Sequence, residues 1–418
     1  MNQFFFCNKY LVFILSFFSP MIINIGGEVS PSFLFIGATL PLWIKYLNFN
    51  KKTYFKSIVH LFILLISIQC IWAIFTNTTA IEQIKGILII VSGFLHFLYY
   101  YMVYMFNRET IKWAVLGTFL SSFFFINVLA EIAGGEFGMW KFQIMPRLVT
   151  ACSLIYLWGC NRKIILKYSP LLFLLIGSVG LATGARSSGL IPFLAGAITL
   201  LLQRKNNTTG QIKKYLLLGI SILYMAYALI YVPNVMNGNI TAGNTEQLKR
   251  LDNPYNPLNL LMLGRADSII PFMAFLDKPL TGWGYHIKDP NHKYNQMQEK
   301  MISNNSDTII NPHSEYYDYI PGHSGWGYIA CSYGIAGFLI IFFMLRKIIS
   351  LLFQSFIAHD KYLLLRINVT IGFLWNLLFS PIAHIKTSPI DMAIIIVFSM
   401  YAIAEYQKKN NRQKTSIQ

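Results

Sequence analysis

The sequence predicts an all-α polytopic membrane protein of about 12 transmembrane helices with one large extramembrane loop. Three observations predict it. Hydrophobic residues make up 55% of the 418 and charged residues only 12%, with a mean hydropathy of +0.49; a soluble domain carries about 25% charge. Apolar runs of roughly 17 to 23 residues, long enough to cross a bilayer, follow one another along the chain. A single hydrophilic stretch, 233–324, interrupts them.

In chain order the runs are 4–25, 31–47, 58–75, 87–106, 114–132, 148–159, 170–183, 188–202, 215–232, 326–345, 363–379 and 390–404. The sixth and seventh are short, which tilt or a displaced boundary would explain. The runs divide the chain into a nine-span block (1–232), the loop (233–324), a three-span block (325–405) and a polar tail (406–418). The tail has the composition of a disordered segment. The first run starts almost at Met1 without a small-residue cleavage site, and reads as a retained span. Residues 346–366 mix bases with Ile, Leu and Phe and read as an inner-leaflet anchor.

The net charge of +17 does not argue for nucleic acid, because the bases fall in alternate loops. Stretches 50–56, 107–112, 161–167, 203–214 and 407–414 are rich in Lys and Arg, whereas 26–28, 76–82 and 133–141 are not. That alternation puts both termini in the cytoplasm and the large loop outside, in the periplasm for a bacterial inner-membrane protein. The five cysteines lie in or beside apolar runs with no CxxC or metal-type spacing, so neither a disulfide framework nor a zinc site is indicated. No P-loop or dinucleotide fingerprint is present, so no cofactor is expected.

The loop concentrates the polar chemistry: Arg265, Asp267, Asp277, Asp289, and His286, His292, His313 and His323. Within it, 261–276 has helical apolar spacing, with a kink or two short pieces expected at Pro271. The following DKPLTGWGY (277–285) reads as a tight turn. Gly282 and Gly284 suit either an ordinary turn or a close backbone approach. Arg186, in LATGARSSGL between the seventh and eighth runs, is a base on the side with few bases. A guanidinium there either binds an anion, whose phosphate oxygens its planar fork matches, or snorkels to lipid headgroups. Arg265 is either an anion ligand or a surface base paired with Asp267. His313 and His323, each followed by Ser and framed by aromatics, are either proton-transfer groups or structural hydrogen-bonding groups.

Three motifs in this order carry a resemblance. These are TGARSSGL (183–190), LGRADSIIPFMAFLDKPLTGWGY (263–285) and GHSGWGYIACSYGIAGF (322–338), the last with Gly334 and Gly337 as a Gly-x-x-Gly pair. With the span pattern and the late external loop, the chain resembles the bacterial O-antigen polymerase (Wzy) and O-antigen ligase superfamily. The resemblance implies a membrane glycosyltransferase C-type fold and a polyprenyl-diphosphate-linked glycan as donor. It also implies metal-independent chemistry, with Arg186 and Arg265 on the diphosphate and His323, or His313 as second choice, orienting or deprotonating the acceptor hydroxyl. His-Ser at 323–324, where a ligase has His-Asn, favours a polymerase that joins the growing glycan to a new undecaprenyl-diphosphate-linked repeat unit. A chain-length regulator and a flippase are the implied protein partners. Two alternatives stay open: an O-antigen ligase acting on lipid A core, and a lipid-linked oligosaccharide flippase.

Overall fold

The computed structural model describes residues 6, 8–21, 23–24, 28–47, 53–75, 79–124, 139–183, 185–203, 221, 224–225, 227–238, 248, 253–256, 259, 265–285, 288–303, 318–322, 324–358, 360–380 and 388–415. Their regular secondary structure is helical apart from a two-residue antiparallel pairing, Ile23–Asn24 with Glu28–Val29, and a lone bridge between Lys288 and Tyr319. The helices that matter below are α1 (Lys9–Phe18), α2 (Pro31–Trp43), α3 (Thr53–Phe75), α4 (Ala80–Phe106), α5 (Ile111–Phe124), α6 (Met145–Gly159), α7 (Lys163–Ala182), α8 (Arg186–Gln203), α9 (Val232–Met236), α10 (Ala266–Asp277), α11 (Lys293–Ser303), α12 (Gly325–Ser355), α13 (Leu363–Phe379) and α14 (Ser388–Thr415). Among the described residues, five stretches are long and apolar enough to cross a membrane: Tyr54–Phe75, Ala80–Phe106, Lys163–Ala182, Gly325–Ser355 and Ser388–Arg412. Lys9–Phe18, Ser187–Gln203, Tyr227–Met236 and Leu363–Phe379 are shorter apolar helices. The seventh run is therefore a full-length helix: Pro170 lies inside α7, with Lys163 and Lys167 in its first turns, where the hydropathy reading had placed a loop.

The core is built round α4, whose residues 95–104 are buried on every side. A helix apolar all round belongs in the middle of a bundle. Phe55 stacks on Tyr101 at 3.9 Å and Phe62 meets Phe94 at 5.3 Å, so α3 runs antiparallel to α4. Two polar side chains of this core, Tyr100 and His96, are satisfied by its own helices. Tyr100 OH bonds Ser16 Oγ at 2.7 Å, and the buried His96 bonds Ser92 O (2.8 Å) through Nδ1 and Ser32 Oγ (3.0 Å) through Nε2.

The bundle has two chemically different ends. At one, Glu109, in the turn between α4 and α5, accepts from Lys361 at 3.3 Å and Tyr362 OH at 2.8 Å. Arg366 pairs there with Asp360 at 2.5 Å. Tyr156 OH of α6 donates to Lys361 O, which puts that end of α6 beside the same cluster. The other end of α6 carries Met145, which touches Gly180 of α7; Gly180 in turn meets Gly189 of α8 backbone to backbone. The start of α8 therefore lies at the end remote from Glu109.

Three expectations change. Arg366 is fully buried and hydrogen-bonds Phe398 O, so it is an internal clamp and not part of an interfacial anchor. Residues 346–355 simply continue α12. The polar tail is helical as far as Thr415, because α14 continues without a break and its Lys, Gln and Arg are good helix formers.

The third change concerns the tenth run, expected as a straight span from Trp326. Gly334 interrupts α12 with φ +62° and ψ −149°. Trp326 Nε1 donates to Phe338 O at 3.3 Å and the two rings stack at 5.0 Å. In a straight helix twelve residues separate two positions by about 18 Å. Residues 325–333 are thus a short arm folded back beside 335–355. The long arm alone, at 1.5 Å per residue, is about 31 Å long and matches the hydrocarbon core.

Candidate functional site

Folding a helix back at Gly334 strands backbone groups at the hinge, which costs most where water is excluded. The turn 279–285 satisfies them. Pro279 O accepts from Ile335 N (2.6 Å), Trp283 N donates to Cys331 O (2.8 Å) and Gly284 N to Ser332 O (2.9 Å). Gly282 and Gly284 adopt φ +69° and +92° to do so. Trp72 at the end of α3 donates to Thr281 O, and the Tyr285 ring lies against Gly86 of α4. The PLTGWGY segment and the glycine of the following apolar run are thus one structural unit.

Helix α10 lies on this unit as a continuous helix that contains Pro271. Phe272 meets Trp326 edge-on at 6.3 Å and Phe275 stacks on Phe338 at 5.7 Å. Its other face joins Tyr294, Ile320 and Cys331 in a small core of the loop's own. That core fixes α11: Tyr294 OH donates to Asp277 at 2.5 Å and Lys293 pairs with the same carboxylate. These two hydrogen bonds, Lys293 first, hold the Asp277 pKa below its ordinary value.

Arg265 is the N-cap residue of α10 and is half-buried. Its Nη1 donates to Phe379 O at 3.4 Å, and the guanidinium lies 5.4 Å from the Trp375 ring centre and 6.0 Å from that of Phe379. Burial draws its pKa down and Asp267 opposes this, yet a guanidinium stays charged. Among the described residues no carboxylate stands at ion-pair distance from it. Asp267 instead accepts from Gln298 of α11. A cation at the C-terminal end of α13 stabilises that helix, but a 3.4 Å contact leaves most of the donor capacity unused.

Ser324 reaches the same turn of α13. Its Oγ accepts from Gly327 N at 3.0 Å, capping the short arm of α12, and lies 3.4 Å from Leu377 O. Arg186 is the first residue of α8; its side chain lies outside the described residues. Helix α8 rests on α13 with Ile191 against Gly372, so the start of α8 and the end of α13 lie at one end of the bundle. His323, His313 and His286 lie outside the described residues. His292 stands in a sharp turn at φ +53°. Among the described residues no three His, Cys, Asp or Glu come together as metal ligands.

The sequence reading used Ser324 only as the neighbour of His323 and did not single out Trp375 and Phe379, whose rings stand beside Arg265. A Ser before an apolar run is a capping signal, and two aromatics four apart at the end of a span form an interfacial belt; both signals are present. Searches against protein-family models, curated proteins and solved structures give no match.

Proposed function

We propose that the protein is a polysaccharide polymerase of the O-antigen type. It transfers a growing glycan from a polyprenyl diphosphate onto a new lipid-linked repeat unit. The observation that carries this reading is the convergence on one end of α13 of Arg265, Ser324 and the start of α8. A diphosphate leaving group needs positive charge as the glycosidic bond breaks. Arg265 offers an unneutralised guanidinium, and Arg186 adds a second at the N-terminus of α8, where the helix dipole already favours an anion. His323, adjacent to Ser324, is the candidate to orient the acceptor hydroxyl. Trp375 and Phe379 offer the aromatic faces that sugars stack on.

In this reading about 12 spans, the long arm of α12 among them, hold two lipid tails beside the cleft. The fold is of the membrane glycosyltransferase C type. The end carrying Arg108, Lys112, Arg162 and Lys361 faces the cytoplasm of a bacterial inner membrane, and the loop faces the periplasm. A flippase would supply the substrate and a chain-length regulator would act on the product.

The test uses purified protein in nanodiscs with undecaprenyl-diphosphate-linked repeat units. Wild type is expected to produce a ladder of lengthening glycans. Arg265→Ala is expected to lower elongation by about 100-fold or more, and Arg265→Lys by less, because a lysine keeps the charge without the fork. Transfer only onto lipid A core would make the protein a ligase. Movement of lipid-linked sugar across a vesicle without elongation would make it a flippase.

A further inference from the structure

Helix α11 has no part in the motifs above, yet it closes on the helix that starts at Arg265. Its Tyr294, Met297 and Met301 pack with Ile270, Met273 and Ala274 of α10. Its polar contacts hold α10 at both ends. Tyr294 and Lys293 bind the Asp277 carboxylate at the C-terminal end. One turn further along α11, Gln298 Nε2 donates to Asp267 Oδ1 at the N-terminal end. The two helices therefore run antiparallel, and Gln298 and Asp267 are both half-buried where they meet.

Asp267 stands two residues after Arg265, in the first turn of α10. A carboxylate there suits the helix N-terminus, and its charge is felt at the Arg265 guanidinium. It is also a rival for that guanidinium's donors. A guanidinium binds a carboxylate through two parallel hydrogen bonds, the same geometry with which it takes a phosphate, so the fork serves one or the other. In the structure the rivalry is suspended. The Asp267 carboxylate is not at ion-pair distance from Arg265, and a neutral amide of α11 holds it instead. The amide leaves the charge of Asp267 in place and fixes where it sits. Among the described residues Arg265 keeps one long hydrogen bond, 3.4 Å to Phe379 O.

We propose that Gln298 is a positioning residue of the donor site: it holds Asp267 on α11 and so keeps the Arg265 guanidinium open to the diphosphate of the lipid-linked donor. This rests on the glycosyl-transfer reading above. Without the amide, the Asp267 side chain turns to Arg265 and closes an ion pair two residues away. A diphosphate must then displace a carboxylate to reach the fork. The competition acts on the free protein, before the bond from the anomeric carbon to the phosphate oxygen breaks. It therefore raises the donor KM and leaves turnover at saturating donor unchanged. The docking of α11 thus sets which anion Arg265 receives.

The test measures binding of undecaprenyl diphosphate to the purified protein in nanodiscs, and beside it the donor KM for elongation. Gln298→Ala is expected to bind about 10-fold more weakly and to raise the donor KM by the same factor, with turnover and acceptor KM within about threefold of wild type. Gln298→Ala combined with Asp267→Asn is expected to return to within about threefold of wild type, because an uncharged amide is no rival for the guanidinium. That recovery separates positioning from a merely structural role, since a loop weakened by one lost hydrogen-bonding partner is not repaired by changing the other. Gln298→Ala affinity within about threefold of wild type, or a loss that Asp267→Asn does not reverse, would overturn the proposal. A wild-type protein that binds undecaprenyl diphosphate but lengthens no glycan would instead overturn the polymerase reading, and the affinity comparison would still decide the role of Gln298. A wild-type protein that binds none would remove the diphosphate from Arg265 and the proposal with it.

Discussion

Gly282 and Gly334 meet backbone to backbone. A Cβ at Gly282 would stand 2.5 Å from Ser332 O and 2.6 Å from Gly334 N, and one at Gly334 would stand 2.5 Å from Leu280 O. Both residues have positive φ, and the ψ of Gly334 belongs to a region nearly confined to glycine. The contact ties the 279–285 turn to the hinge of a folded-back helix, so this segment is part of the helical bundle's architecture.

Alanine at either position should therefore be severe. Backbone strain of about 1–3 kcal/mol adds to a clash with backbone atoms that cannot rotate away. Gly238 is the control: its φ is +76° but nothing lies within 4 Å of an added Cβ. Thermal unfolding in detergent should show Gly238→Ala destabilised by the backbone strain alone, with Gly282→Ala and Gly334→Ala destabilised well beyond it. Equal effects at all three would mean that the close approach is unimportant.

The folded-back arm predicts a distance. Spin labels at Tyr328 and Ile349 would lie about 32 Å apart along a straight helix. With a reversal at Gly334 the separation should be about half that. Pulsed dipolar spectroscopy on the purified protein separates the two, and the longer value would mean one continuous span.

Low pH should loosen the opposite end. Burial opposes ionisation of Glu109, but hydrogen bonds from Lys112, Tyr362 and Lys361 and the charge of Lys112 outweigh it and hold its pKa at about 2, against an ordinary 4.5. A depressed carboxylate contributes stability that is complete above the ordinary value and is lost as pH falls from about 4.5 toward 2. Unfolding midpoints measured down through this window should fall less steeply for Glu109→Gln than for wild type. Identical slopes would remove Glu109 from the account.

Arg366 should be intolerant of losing its partner. It is fully buried, with Asp360 at 2.5 Å and Phe398 O at 3.3 Å. Breaking a buried pair leaves one charge uncompensated at a cost of about 3–5 kcal/mol. Asp360→Asn should be the most damaging change, because the charge it orphans is the more deeply buried. The double variant Asp360→Asn with Arg366→Met should recover much of the loss in a denaturation series.

Helical membrane character, the hydrophilic interruption and the alternation of basic loops are legible in the sequence because they depend on local hydropathy and charge, which survive without knowledge of neighbours. Arg186 stands out in the sequence for the same reason, as a base on the side with few bases, whereas Arg265 lies in the hydrophilic stretch where a base is unremarkable by itself. The hinge at Gly334 was not legible. A reversed helix and a straight one share the same apolar composition, and the Gly334 backbone and the Trp326 contacts with Phe338 distinguish them. Gly282 could be read as a turn glycine from its neighbours, but its need for glycine comes from Ser332 O, fifty residues away. Arg366 looked like an interfacial anchor because bases and apolar residues alternate around it; its burial depends on α14 closing over it. The sequence by itself determined which segments leave water and which charges resist leaving it, since transfer free energy belongs to each residue. The tertiary structure alone decided which of those charges lie at one end of the bundle and which are enclosed in it, since close approach and burial belong to pairs of segments far apart in the chain.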